Sequence, residues 1–404
     1  MAAQTATAVQ AGAPARGSLL YDPKVRATVY QVVLTAVVVF LIYTAATNAV
    51  ANLRAARIAS GFGFLNVTAG FDVNQSLIAF SAAASTYGDA FIVGLLNTLV
   101  VAAIGIVLAT ILGFMMGIAR LSKNWLVARL ATVYVEVVRN EPLLLQLLFW
   151  YIAVLTPLPN PRESISFGGE FFLNNRGLFM PKPILASDAW LIPVSFLAGI
   201  VGTIAFRIWA KRQQEETGRQ YPVALVALGL ILLLPTLIWL VLALLGLNPI
   251  TFDVPQQQRF NLRGGMQVFP EFVALLLGLV IYTGAFIAEV VRAGILAVSK
   301  GQTEAAGALG LRPGHTLRLV VVPQAMRVII PPLTSQYLNL TKNSSLAVAI
   351  GYPDLVQVFM GTVLNQTGQA VEVVAITMAV YLTISLVTSA VMNAYNRRVA
   401  IVER

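Results

Sequence analysis

FIVGLLNTLVVAAIGIVLATILGFMMGI, residues 91–118, runs for 28 residues without a charge. A helix rising 1.5 Å per residue needs about 20 apolar residues to cross the roughly 30 Å core of a bilayer. The stretch therefore reads as a transmembrane helix, and the composition carries that reading to the whole chain. Of 404 residues, 58% are hydrophobic and 11% charged, against roughly 25% charged in an ordinary soluble domain. A soluble enzyme is excluded as the default.

Working outward, eight apolar runs qualify as spans: Thr28–Ala51, Phe91–Ile118, Leu126–Leu155, Trp190–Ala210, Pro222–Leu245, Pro270–Val291, Met326–Ile350 and Val371–Ala394. The third carries Glu136, Arg139, Asn140 and Glu141, and the seventh carries Lys342, Asn343, Ser344 and Ser345. Both are kept because the loops become too long without them and the charge pattern breaks. With the N-terminus inside, 18 lysines and arginines fall on the cytoplasmic side and 7 outside. That bias predicts both termini in the cytoplasm and an even number of spans. The expected fold is thus an all-α, polytopic membrane bundle. The net charge of +10 reads as topology, not as nucleic-acid binding.

The first 27 residues read as a disordered tail before a signal-anchor helix; the competing reading is cleavage near Asn48–Ala51. Residues 52–90 and 156–186 read as outer loops without strong periodicity. The chain has no cysteine and one histidine, His315, which leaves disulfides, thiolate chemistry and a His/Cys zinc cluster without ligands. His315 reads as a solvated residue.

Between the sixth and seventh spans lies SKGQTEAAGALGLRPGH, residues 299–315. Ser299 and Gln302 have the capping-box spacing that starts a helix at about Lys300. Gly310 ends it, and Pro313 suits the first turn of a second, amphipathic helix carrying Leu317, Val320 and Val321 toward Pro323. The product is a compact cytoplasmic knob. Ala305 and Ala306 permit close approach of a partner's backbone, and Glu304 is free to pair with a partner's base. On physics alone a plain connector between spans reads equally well.

The spacing Glu304-Ala305-Ala306, Gly310, then Val320-x-Val322-Pro323 resembles the "EAA" coupling motif of type I ABC-importer permeases, with Val in place of the usual Ile and Leu. Residues 94–99 (GLLNTL), 119–122 (ARLS), 135–146 (VEVVRNEPLLLQ), 288–292 (AEVVR), 323–327 (PQAMR) and 340–346 (LTKNSSL) look like polar amino-acid uptake permeases. The long outer loop, the endings at 365–369 and 400–404 and the length resemble the first permease subunits of bacterial general L-amino acid uptake systems (Aap or Bzt type). The resemblance implies residues 91–396 as a type I transmembrane domain with a helix pair inserted at about 156–269. Residues 1–90 add a tail, an extra span and a periplasmic loop, and residues 397–404 a cytoplasmic tail.

The sequence holds no G-x-x-x-x-G-K-[ST] phosphate loop, so if ATP drives this protein, ATP and Mg are expected on a separate subunit and no cofactor in this chain. The family implies a second permease, two copies of an ATPase and a periplasmic binding protein as partners, in the bacterial inner membrane. Coupling to the ATPase falls to Glu304, Ala305, Ala306, Gly310 and Pro323. For the substrate path, ionisable and polar groups within spans are the candidates, since each costs about 2.5–3.5 kcal/mol unless paired or wet. These are Asn97, Thr98, Arg139, Glu141, Glu289, Lys342 and Asn343. Arg139 suits a substrate carboxylate, and Glu289 or Glu141 an ammonium; structural ion pairs and helix-end snorkelling are the alternatives. The rival class is an ion-coupled secondary amino-acid transporter, which needs membrane-centred acids or histidines.

Overall fold

The computed structural model describes residues 23–55, 61–186, 189–258 and 261–399. The N-terminal tail through residue 22 and the closing residues 400–404 lie outside the described residues. The helices are α1 (Pro23–Ala55), α2 (Tyr87–Ala119), α3 (Trp125–Asn140), α4 (Leu143–Leu155), α5 (Leu191–Thr217), α6 (Val223–Leu244), α7 (Pro270–Leu296), α8 (Lys300–Ala308), α9 (Pro313–Ile350), α10 (residues 356–367) and α11 (Ala370–Val399). Among the described residues, seven helices are long and apolar enough to cross a bilayer, or eight if the bent pair α3–α4 is one span. Every expected span has its helix, with corrections at the third and seventh.

The centre of the bundle is α2 against α7, with α3, α4 and α9 packed around α7 and α11 packed on α9. In lipid, two apolar helices gain nothing by hiding from water, so close packing must hold them together. Gly105, Ala109, Gly113 and Gly117 recur every four residues and are all buried. They turn one side of α2 into a shallow groove that admits Ile287, Ala288 and Val291 of α7. A Cβ on Gly117 would lie 2.7 Å from the Ala288 carbonyl oxygen, so only glycine permits this approach.

The third span is not one straight helix. α3 and α4 meet at 106°, because Pro142 disfavours helical backbone at the residue before it and Glu141 is extended (φ −95°, ψ 133°). Pro142 also lacks the N–H that would bond the Val138 carbonyl four residues back. The Gln146 side-chain amide takes that place, donating to Val138 O at 3.0 Å and to Glu141 O at 3.2 Å. The seventh span also differs: the short helix expected after Pro313 runs on without a break through Pro323 to Ile350. A π-turn over Leu317–Val321 precedes the proline, and its wider hydrogen-bond spacing accommodates the missing N–H.

The loop after α4, expected on the outer side, is also more ordered than its sequence suggests. β1 (Ile165–Phe167), β2 (Phe171–Asn174), β3 (Gly177–Met180) and β8 (Met266–Val268) form an antiparallel sheet in the order β1-β2-β3-β8. β4 (Lys182–Leu185) pairs with β5 (Ile250–Asp253), and β6 (Gln256–Gln257) with β7 (Leu262–Arg263). Strand pairing thus closes the base of the α5–α6 hairpin, whose helices pack on each other. Phe172, Phe179 and Leu262 form its small apolar centre.

Candidate functional site

The knob at one end of the bundle is built as its spacing predicts, with one correction. Ser299 is the N-cap of α8, yet its hydroxyl makes no capping bond; the backbone Gln302 N–H donates to Ser299 O at 3.1 Å instead. At the other end Gly310 adopts φ +77°, Gly310 N bonds Gly307 O at 2.9 Å and Leu311 N bonds Ala306 O at 3.1 Å. This left-handed cap reverses the chain within three residues. Ala306 is buried between α8 and the start of α9, whereas Glu304, Ala305, Pro323 and His315 are exposed. Leu309 is 82% exposed, and the knob carries a hollow lined by Gly307, Leu311, Pro313, Leu317 and Val321.

Along the bundle, α7 and α9 form an open cavity of about 290 Å³ lined by Tyr282, Thr283, Phe286, Gln336, Asn339 and Asn343, with Asn339 exposed. Of these, Asn343 alone is among the residues to which the sequence points. Gln336, Asn339 and Asn343 lie three and four residues apart, on one face of α9. That polar period inside an apolar span is the signal that could have found the other two.

Arg139 lies next to this cavity, its guanidinium 5.1 Å from the centre of the Phe286 ring. Its Nη1 is 4.0 Å from Glu289 Oε2, and its buried Nε has no hydrogen-bond partner among the described residues. Glu289 is also held by Arg292 at 2.6 Å and by Arg120, which reaches Glu136 at 3.2 Å. Arg139 and Glu289, expected at opposite ends of a substrate, therefore face each other. Three arginines around one carboxylate tie α2, α3 and α7 together.

The other candidates sit elsewhere. Glu141 borders an apolar hollow with Val138, Leu145 and Trp150. Lys342 is exposed, in a separate groove with Ser345, Met360 and Tyr381. Asn97 and Thr98 are fully buried and serve the backbone. Asn97 Nδ2 donates to Gln75 O at 2.8 Å and Pro353 O at 2.9 Å, and Thr98 Oγ1 accepts from Leu355 N at 3.0 Å. Just beyond, Asp354 is buried, and burial pushes its carboxyl up to about 7 despite the hydrogen bond it accepts from Gln357 N.

A polar cavity between membrane helices, continued by one of those helices into an exposed knob, defines a multi-pass permease subunit. The chain belongs to the family described as the inner membrane component of binding-protein-dependent transport systems, matched over residues 109–401. It is 53% identical to the general L-amino acid transport system permease protein AapQ of Rhizobium johnstonii, over 96% of this chain and 95% of that protein. It is 52% identical to the putative amino-acid ABC transporter permease protein YhdX of Escherichia coli, over 96% and 98%. With the glutamate/glutamine/aspartate/asparagine transport system permease protein BztB of Rhodobacter capsulatus the identity is 43%, over 96% of each.

Proposed function

We propose that this chain is one of two permeases in an ATP-driven importer of L-amino acids, with the sheet end outside, the knob in the cytoplasm and both termini inside. The observation that carries the reading is α9. It begins in the knob, lines the amide cavity at Gln336, Asn339 and Asn343, and ends beside Pro353. A partner that moves the knob therefore acts on the cavity through one element. ATP and Mg sit in two copies of a separate ATPase that grips Glu304, Ala305 and the hollow at Gly307, Leu311 and Pro313. A periplasmic binding protein delivers the substrate. The relatives named as amino-acid permeases support the substrate class.

The cavity chemistry fits that cargo. Primary amides both donate and accept, so Gln336, Asn339 and Asn343 can meet an ammonium and a carboxylate without favouring a side-chain charge. The unpartnered Nε of Arg139 offers a carboxylate a charge-assisted bond next to Phe286. The test is uptake of labelled glutamate, leucine and arginine by the reconstituted complex. Gln336→Leu with Asn339→Leu is expected to lower all three at least tenfold, with the ATPase still bound, since two hydrogen bonds to the charged groups of the substrate, each worth about 1.5–3 kcal/mol, are lost together. Uptake driven by an ion gradient without ATP would instead support the secondary-transporter alternative.

A further inference from the structure

A second cavity, of about 160 Å³, lies at the opposite end of the bundle from the knob. The segment at residues 71–75 makes one wall, and Pro353 with Gln357 makes another. The third is Phe269 and Glu271, at the start of α7 directly after β8. Asn97 fixes its shape by bonding both Gln75 O and Pro353 O, so two walls from distant parts of the sequence are clamped to α2.

Two carboxylates, Asp72 and Glu271, line this space beside the amides of Asn74, Gln75 and Gln357 and the Thr362 hydroxyl. Asp72 Oδ1 accepts from Ala82 N at 2.7 Å and Glu271 Oε1 from the Tyr151 hydroxyl at 3.0 Å. Each carboxylate thus has one oxygen anchored and one with no donor among the described residues. The buried side-chain oxygen of Gln75 also has no donor among them. Among the residues that line the cavity none is basic. Three acceptor oxygens and two negative charges around a space that would hold a benzene-sized group match a primary ammonium, which has three donors and one positive charge.

We propose that this outer cavity is a reception site for the ammonium group of an amino acid, occupied before the substrate reaches the amide cavity between α7 and α9. The identity of the ligand rests on the importer reading above. Because every α-amino acid carries this group, the site accepts cargo without regard to side chain. Asp72 and Glu271 supply the charge, and Asn97 is a positioning residue.

The chain has no cysteine, so Asn74→Cys, at the cavity lining, gives a single thiol to label in the assembled complex. The rates with a trimethylammonium and a sulfonate methanethiosulfonate are measured, each relative to its rate with free glutathione. The cationic reagent is expected to be favoured at least about fivefold, as for a nearby carboxylate in a partly wet site. The preference should vanish when Asp72→Asn and Glu271→Gln are added. Alaninamide should slow labelling; N-acetylalanine, which lacks the ammonium, and sodium chloride at matched ionic strength should not. Equal rates for the two reagents, protection by N-acetylalanine, or equal protection by sodium each overturn the proposal. ATP-driven uptake by the parent complex is measured in the same vesicles. Its absence alongside alaninamide protection would sink the importer reading and leave this site standing.

Discussion

α2 and α6 are both strongly apolar, yet they lead different lives. In α2 the glycines every fourth residue seat it on α7, half of whose apolar window is buried within the chain. For α6 the buried share of that window is 6%, and for α1 it is 0%. Hydropathy places a helix in the membrane; small side chains and polar groups decide whether it is core or periphery. The candidate functional features follow the same division. The amide cavity, the arginine cluster around Glu289 and the knob all belong to α2, α3, α7, α8 and α9, while α1 and the α5–α6 hairpin contribute to none of them.

The sharpest way to break this contrast is Gly117→Leu. Ala288 O leaves no room for a side chain, so α2 and α7 must separate, at the upper end of the roughly 1–3 kcal/mol typical of overpacking or beyond. Size-exclusion chromatography in detergent should show no monodisperse protein. Ala36→Leu on α1, which is exposed on that helix, should change stability by less than about 0.5 kcal/mol. A well-behaved Gly117→Leu protein would mean that the α2–α7 seam is not what holds the core.

Gly310→Val separates transport from folding inside the core. A β-branched residue at φ +77° costs about 1–2 kcal/mol locally, and the left-handed cap that aims α8 is lost. Membrane insertion should survive while co-purification of the ATPase and amino-acid uptake fall at least tenfold. Normal uptake would reduce the 299–323 segment to a connector.

The smallest effect belongs to the bend. Gln146→Leu leaves the Val138 carbonyl without its donor, and since the site is only part-buried the cost is about 1 kcal/mol, or roughly 2–4 °C in Tm. Adding Pro142→Ala restores a backbone N–H at the right spacing and should recover part of the loss. Two losses that simply add would show that Gln146 does something other than replace the proline's missing donor.

The spans and the knob are legible because they rest on long-range periodicity and on single residues with strong backbone preferences, such as Gly310 and Pro313. The bend is legible too, in Pro142, but an apolar run spanning 126–155 masks it. The strands are not: they are two to four residues long, too short for alternation to stand out, and β3 meets β8 only after the α5–α6 hairpin has come and gone. Among site residues, charge draws attention first, yet Glu289 and Arg139 face each other. Of the neutral amides of α9, Asn343 is noticed beside Lys342, but Gln336 and Asn339 escape because an uncharged polar residue in a span raises no alarm by itself. Asn97 stands out as polar, but its task of holding residues 75 and 353 together is a matter of distant chain segments meeting.

α9 has one more consequence. Its 38 residues make a rod of about 57 Å at 1.5 Å per residue, longer than the 40–45 Å of a bilayer with its headgroups. A rod that overhangs its support works as a lever arm, and rocking it by about 5° sweeps one end roughly 5 Å relative to the other. That stroke is about one helical turn, enough to carry a row of amides past a stationary partner. The adjacent Pro331 and Pro332 interrupt the hydrogen-bond ladder near mid-length, and they set the point at which the arm can flex when its two ends are loaded in opposite senses.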